Sequence, residues 1–434
     1  MPTQDGSICG NTKNETGYIK LANKKDSHYF YWFFESQRSP SEDPLLIWLT
    51  GGPGGSSLYA LFMENGPCKI QPDLSTTINP YVWTSQANVI WLDQPSGVGF
   101  SYFTAPEDKD VNGANVGENM YWFLQGFIEK HPEFENRAFF IVGESYGGHF
   151  VPSAAHYVWQ QSMLGDAQAG TKKINLQGIG IGNGWVDPDT QYMYAEAMAT
   201  DNAYNVTFLT EAQIVQMKKD NLVCVAMSQA CRANPLNGSV CMDEQTFSWE
   251  KHIVPYLAAG RNPYDIRESC HTETDPLCEG DNHLEEFLNL ESVHKALNAN
   301  KKWEQVSEDV SVDFIKFGDN AQPSHLQVAD LLNDGVRVLV YNGDADLMCN
   351  WQSSEAWTKV LEWMGKRGFN TALEKQFVSH DPLNAGSSPV NGGVVRSFDN
   401  FAFLRVFNSG HMVPKNQPAV SLDMINRFFA NEAL

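Results

Sequence analysis

The pentapeptide Gly143-Glu-Ser145-Tyr-Gly147 sets a serine between two glycines, directly after the apolar run Ala138–Val142 and before a helix-compatible stretch. The glycines permit a tight strand-to-helix turn, and the strained turn lifts the serine hydroxyl clear of the sheet. The helix that follows adds backbone N–H groups and the positive end of its dipole. Glycine and serine are common, so the pentapeptide alone says little; the strand before it and the helix after it give it weight. A nucleophilic serine needs a base to take its proton and a carboxylate to orient the base. With a serine on such a turn, the chain order is serine, acid, histidine, with the acid just past a strand and the histidine in a late loop. Among eleven histidines, His411 stands in that position, in Asn408-Ser-Gly-His411-Met-Val-Pro414 after the run Phe401–Phe407. The turn Asn342-Gly-Asp344-Ala-Asp346 follows the strand-like Arg337–Tyr341 and offers Asp346 as the acid. Asp344 competes with it, and is otherwise an ordinary turn residue.

The third requirement is a pair of donors for the oxyanion. Thr50-Gly-Gly-Pro-Gly-Gly-Ser-Ser57 directly follows the strand-like Leu45–Leu49. The N–H groups of Gly52 and Tyr146 would point at the developing negative charge. A phosphate-cradling loop would end in Gly-Lys-Ser/Thr, and no lysine is present here.

These residues need elements to carry them. Runs at Tyr29–Phe34, Leu45–Leu49, Asn88–Leu92, Ala138–Val142, Leu176–Gly182, Arg337–Tyr341 and Phe401–Phe407 have strand length and composition. Several are apolar at every position, as strands covered on both faces must be. Helix-compatible segments, Val116–Lys130, Gly148–Met163 and Ala419–Phe429, lie between and after them. The expected class is α/β: an α/β-hydrolase fold with a mostly parallel sheet, helices on both faces and an inserted, disulfide-bearing helical cap. The expected boundaries are 1–184 and 315–434 for the core and 185–314 for the cap. The cap is rich in cysteine, Asn and charge, with short helical patterns such as Glu211–Asp220.

At 434 residues and 42% apolar content, burying a large core presents no difficulty. The formal net charge of −22 disfavours nucleic acid and anionic membrane as partners. It also suits a protein that stays soluble at low pH. No apolar stretch is long enough to span a bilayer. The first ten residues, MPTQDGSICG, show neither a basic nor an apolar leader segment. Eight cysteines, five of them between Cys224 and Cys278, and sequons at Asn14, Asn205 and Asn237 place the protein in the secretory pathway. No metal or other cofactor is expected, since no HExxH or paired-cysteine zinc pattern occurs.

Five segments look like serine carboxypeptidases: Trp48-Leu-Thr-Gly-Gly-Pro-Gly54, Leu92-Asp-Gln-Pro-Ser-Gly-Val-Gly-Phe-Ser-Tyr102, Gly143-Glu-Ser-Tyr-Gly-Gly-His-Phe-Val-Pro152, Gly182-Asn-Gly-Trp-Val-Asp-Pro188 and Gly410-His-Met-Val-Pro414. They lie in order over nearly the whole chain. The resemblance implies a triad of Ser145, Asp346 and His411, with the oxyanion hole at Gly52 and Tyr146. It implies that Glu144 and Glu64, with the Gly51 backbone, bind the substrate's terminal carboxylate. Crowded carboxyl groups cannot all ionise, so at least one proton is retained and can be donated to the substrate. Peptide hydrolysis is therefore expected at acid pH, roughly 4–6, and a vacuolar, lysosomal or secreted location fits.

Two departures stand out. Thr50 replaces the family's usual asparagine, whose amide helps bind the carboxylate; a threonine hydroxyl donates too, but is shorter. Gly55 replaces a usual cysteine, and its downstream partner is also missing from Trp303–Val310. Cys349 resembles the family's unpaired cysteine near the active site, Cys270–Cys278 makes a plausible short bridge, and the seven cysteines other than Cys349 leave at least one more unpaired. Tyr59, Met63 and Met412 are implied near the leaving residue's pocket and Tyr146 near the other, which favours hydrophobic residues at the scissile bond. Peptide or protein C-termini are the expected partners; monomer and homodimer both remain open. The alternatives are an esterase or acyltransferase on the same scaffold, and a non-catalytic binding protein that keeps the fold.

Overall fold

In the computed structural model, which describes residues 8–9, 12–164, 171–235, 237–270, 278 and 283–434, the apolar runs assemble into one large sheet. Its ten longer strands are β1 (Asn14–Lys20), β2 (Ser27–Phe34), β3 (Leu45–Leu49), β4 (Asn88–Leu92), β5 (Ala138–Glu144), β6 (Asn175–Gly182), β7 (Arg337–Gly343), β8 (Lys375–Ser379), β9 (Val390–Phe398) and β10 (Phe401–Val406). They lie in the order β1-β2-β4-β3-β5-β6-β7-β10-β9-β8. The stretch from β4 to β10 is parallel throughout, and antiparallel strands close both edges.

The centre of the sheet follows from its residues. β3 and β4 are buried at every position, which only strands covered on both sides can sustain. Successive side chains go to opposite faces. On one face Ile47, Ile90, Ile141 and Val340 pack under the helices Gly113–Lys130, Gly147–Met163 and His325–Asn333. On the other, Leu46, Trp48, Trp91, Phe140 and Leu339 pack under Leu58–Met63 and Pro418–Ala430. A mostly parallel sheet, helices on both faces and a strand-to-helix turn at Ser145 make this an α/β-hydrolase fold.

The segment 185–314 divides by its packing. Helix Glu211–Ala233 starts at a capping box between Thr210 and Gln213 and pairs with Gly238–Ser248, to which Cys231–Cys241 ties it. Met198, Leu209, Met217, Tyr256 and Ile266 form a small core of their own with Leu347. Leu284, Phe287, Leu297 and Trp303 instead join the core of the sheet, with Phe287 edge-on to Phe62.

Three disulfides form, Cys9–Cys68, Cys231–Cys241 and Cys270–Cys278. Cys349 is a free thiol, and Cys224 is the second one that parity requires. Asn14, Asn205 and Asn237 are all exposed.

A cross-link stabilises chiefly by restricting the unfolded chain, more so for a longer loop. Cys9–Cys68 spans 59 residues and Cys231–Cys241 spans 10. Replacing Cys9 and Cys68 with serine is expected to lower the unfolding free energy by about 2–4 kcal/mol, more than the same change at Cys231 and Cys241. Urea denaturation of the two double variants checks the ordering.

Candidate active site

β5 ends at Glu144, and Ser145 follows with φ of +62°, the left-handed region that a non-glycine residue adopts only when its surroundings insist. Those surroundings are hydrogen bonds. The Ser145 N–H donates to the Gly182 carbonyl at 3.0 Å, and the Ser145 carbonyl accepts from Gly148 and Trp185, each at 2.9 Å. The end of β6 thus clamps the turn. The glycine-rich loop after β3 lies directly on it: a Cβ on Gly51 would stand 2.3 Å from the Tyr146 nitrogen, so no side chain fits at Gly51. Gly52 follows with φ of +118°. Among the described residues neither the Gly52 nor the Tyr146 N–H has a backbone or side-chain acceptor. Two donors beside one serine are what a developing oxyanion requires.

Asp346 leaves the turn after β7 fully buried. One carboxylate oxygen, Oδ2, lies 2.8 Å from His411 Nδ1 and accepts from Asn183 Nδ2 at 2.8 Å and the Cys349 N–H at 3.2 Å. The other accepts from the Met348 N–H at 3.0 Å. Four donors hold a charge that burial would otherwise make costly. His411 is fixed further by its N–H to the Tyr264 carbonyl at 2.7 Å and by the Tyr264 ring edge-on at 5.2 Å. Among the described residues its buried Nε2 has no hydrogen-bond partner, and His411 and Ser145 line the same cleft. Asp344 instead accepts from the Tyr204 hydroxyl and makes no bond to His411.

Behind the serine sit two more carboxyl groups. Glu144 and Glu64 are neighbours and both almost wholly buried, and among the described residues both Glu64 oxygens and Glu144 Oε2 lack a donor. Burial raises both above the ordinary carboxyl value. Glu144 is raised further by repulsion from Glu64, by the favourable contact its protonated form makes with that carboxyl group and by the more distant Asp346, against a weaker attraction to Lys415. The pair therefore keeps a proton well beyond the pH at which an isolated glutamic acid loses it. Thr50 Oγ1 accepts from the Trp48 indole at 2.9 Å, which leaves its own hydrogen available to a ligand.

The cleft encloses about 420 Å³. Thr50, Gly51, Gly52, Tyr59, Glu144, Ser145, Tyr146, Cys349, His411 and Met412 all line it. The Tyr59 hydroxyl meets Met412 Sδ at 3.0 Å. Glu64 and Asp346 lie one layer behind the wall, and Met63 packs half-buried against the core rather than lining the cleft.

Trp185, Tyr192, Trp249, His252 and Ile253 roof the cleft. Trp185 stood in the sequence only within the family-like segment Gly182–Pro188, with no role assigned, and the other four were not singled out, because no local pattern gives the path of the region that carries them. Tyr146 is anchored through its ring: the hydroxyl donates to buried Asp319 at 2.8 Å, and the ring stacks on His149 at 4.6 Å. Asn183 is a further residue of the family-like segment Gly182–Pro188 to which the sequence assigned no role. It holds Asp346 and, through Oδ1, accepts from the Gly343 N–H at 3.2 Å. Its local signals were that segment and an asparagine between two glycines at a strand end, here with φ of +41°.

Known proteins resemble this chain over almost its whole length. The family model for serine carboxypeptidases matches residues 2–431. A carboxypeptidase Y homolog A from Coccidioides posadasii is 38% identical over 97% of this chain and 75% of its own length. Carboxypeptidase Y of Komagataella phaffii is 36% identical over 97% of this chain and 76% of its own. The crystal structure of Kex1(delta)p, a prohormone-processing carboxypeptidase from Saccharomyces cerevisiae, superposes with a TM-score of 0.79 at 23% identity, covering 97% of this chain and 92% of that one. The fold and the site define a serine hydrolase. This chain belongs to the serine carboxypeptidase family, and it is a peptide hydrolase of that type.

Asn183→Ala would remove one of the four donors to Asp346. A hydrogen bond to a charged group contributes about 1.5–3 kcal/mol, so kcat/KM on a peptide substrate is expected to fall about tenfold or more. Steady-state kinetics beside a melting curve check this.

Proposed function

We propose that this serine carboxypeptidase removes C-terminal residues through an acyl-enzyme on Ser145, at acid pH, with a preference for hydrophobic residues at the scissile bond. The observation that carries the reading is the pair of buried carboxyl groups, Glu64 and Glu144, that sits beside Ser145 with three of its four oxygens lacking a donor among the described residues; burial raises both above the ordinary carboxyl value, and repulsion from Glu64 raises Glu144 further.

The steps follow from the placement of each group. Ser145 Oγ attacks the last peptide carbonyl while His411 Nε2 takes the hydroxyl proton, and Asp346 steadies the imidazolium. The carbonyl oxygen becomes an oxyanion held by the Gly52 and Tyr146 N–H groups. The tetrahedral adduct collapses, the C–N bond breaks and His411 gives its proton to the departing amine. Water, deprotonated by His411, then hydrolyses the ester and returns the serine hydroxyl. The terminal carboxylate of the substrate docks on the protonated carboxyl pair, the Gly51 backbone and the Thr50 hydroxyl.

Tyr59 and Met412 supply an apolar wall for the leaving residue, and the aromatic roof residues Trp185, Tyr192 and Trp249 one for its neighbour. The roof comes from the inserted region, read as 185–314, which serves here to cover the cleft of the core. Three disulfides and exposed Asn14, Asn205 and Asn237 favour passage through the secretory pathway with glycans at those sites. An acidic compartment would match the carboxyl pair.

The sign of the pH dependence follows from the pair. Its raised values keep it protonated at acid pH; as pH rises through them, a donor becomes a charge that repels the substrate carboxylate. An N-blocked dipeptide with a free carboxylate is therefore expected to be cleaved best at acid pH and its C-terminal amide only weakly, with both lost in Ser145→Ala. Ester cleavage indifferent to the carboxylate would instead point to an esterase or acyltransferase.

A further inference from the structure

The loop Gly51-Gly-Pro-Gly-Gly55 carries Gly52 but has no polar side chain with which to anchor itself. Glycine-rich backbone loses much conformational freedom on ordering, so its shape must be imposed from outside. Ser56, the next residue, supplies the hold. Its hydroxyl donates to Asp93 Oδ1 at 2.5 Å and accepts from the Trp303 indole N–H at 3.0 Å. Asp93, directly after β4, also accepts from the Ser57 N–H at 3.1 Å and, through Oδ2, from the Phe100 N–H at 2.8 Å. Ser56, Asp93 and Trp303 are all completely buried. Beside them the Ser56 N–H donates to the Gln305 carbonyl at 3.0 Å and the Ser307 N–H to the Gly54 carbonyl at 2.9 Å. Gly55 and Val306 thereby pair as an isolated antiparallel bridge.

The family resemblance would put a cysteine here, where this chain has Gly55, and Trp303–Val310 carries none. A Cβ on Gly55 would stand 2.8 Å from the Gly51 carbonyl oxygen. The loop is therefore closed more tightly than a side chain at that position allows. The hydrogen bonds from Trp303 and its neighbours reach the same point from the downstream segment.

We propose that Ser56, Asp93 and Trp303 are positioning residues that hold the Gly51–Gly55 loop, and with it the Gly52 N–H, against Ser145. The proposal rests on Gly52 being an oxyanion donor. Buried donors and acceptors rigidly shared between two segments resist exchange with water, and a displacement of about 1 Å in a catalytic group can cost on the order of a hundredfold in rate.

Trp303→Phe keeps a buried ring and removes the indole N–H; Ser56→Ala removes the hub hydroxyl. Each is assayed on the N-blocked dipeptide acid, with an N-blocked amino-acid aldehyde as an inhibitor whose serine adduct places an oxygen in the hole. The expected result is a kcat lowered about tenfold, KM within about twofold, and aldehyde affinity weakened in parallel with kcat, in variants that still melt cooperatively. Wild-type kcat and aldehyde affinity in folded Trp303→Phe would overturn the proposal. So would kcat, KM and melting temperature worsening together, which would mark a merely structural role. If Ser56→Ala does not fold, Trp303→Phe decides alone. Failure of the underlying reading shows separately, as wild-type enzyme that the aldehyde does not inhibit or as Ser145→Ala that stays active.

Discussion

Three carboxyl groups, Glu64, Glu144 and Asp346, are buried around the C-terminal ends of β5 and β7, and repulsion in a medium of low polarity forbids all three from carrying full charge. The protein resolves this by unequal solvation. Asp346 receives four N–H donors, so its charge is supported. Among the described residues both Glu64 oxygens and Glu144 Oε2 lack a donor, so burial and mutual repulsion favour keeping a proton on the pair. The result is a site with opposite capacities at its two ends. One end can stabilise an imidazolium as it forms, and the other can offer a neutral donor to an anion.

The rest of the fold keeps these ends in register. β3, β5, β6 and β7 are adjacent and parallel, so the loops that follow them emerge on one edge of the sheet. Gly51 after β3, Ser145 after β5, Asn183 after β6 and Asp346 after β7 are consecutive along that edge. Hydrogen bonds between the loops then fix distances that the strands alone set only roughly: Ser145 to the end of β6, Asn183 to Asp346, and Ser56 to Asp93. Strain at Ser145 is sustained by the same bonds.

The parts of this plan carried by local pattern were legible in the sequence. β3, β4 and β5 read as strands because strands covered on both faces must be apolar throughout, and the loops at their ends gave Ser145, Gly52 and Tyr146 by spacing. β1, β8 and β9 were not singled out. Each is an edge or near-edge strand with polar or alternating residues, such as Lys375–Ser379, where only two positions are buried. The choice between Asp344 and Asp346 is tertiary: His411 selects one through a contact across 65 residues, and in sequence only the family resemblance favoured Asp346. The roof residues, Asp319 under Tyr146 and Trp303 above Ser56 were illegible for the same reason. Their partners are distant in the chain, and a tryptophan in an irregular segment reads as core. Met63, which similarity of motif placed near the leaving residue's pocket, is half-buried against the core that also holds Tyr59 and does not itself line the cleft.

The central claim, that a shared proton on Glu64 and Glu144 receives the substrate's carboxylate, is tested most directly by proton uptake on binding. Ser145→Ala would be titrated calorimetrically with the N-blocked dipeptide acid and its amide, in buffers of differing ionisation enthalpy, at pH 5 and at neutral pH. Adding a third carboxylate to the pair favours a further proton. The account predicts net uptake with the acid at neutral pH, shrinking towards pH 5 where the pair is already protonated, and none with the amide. Binding of the acid without uptake at either pH, or with proton release, would contradict it.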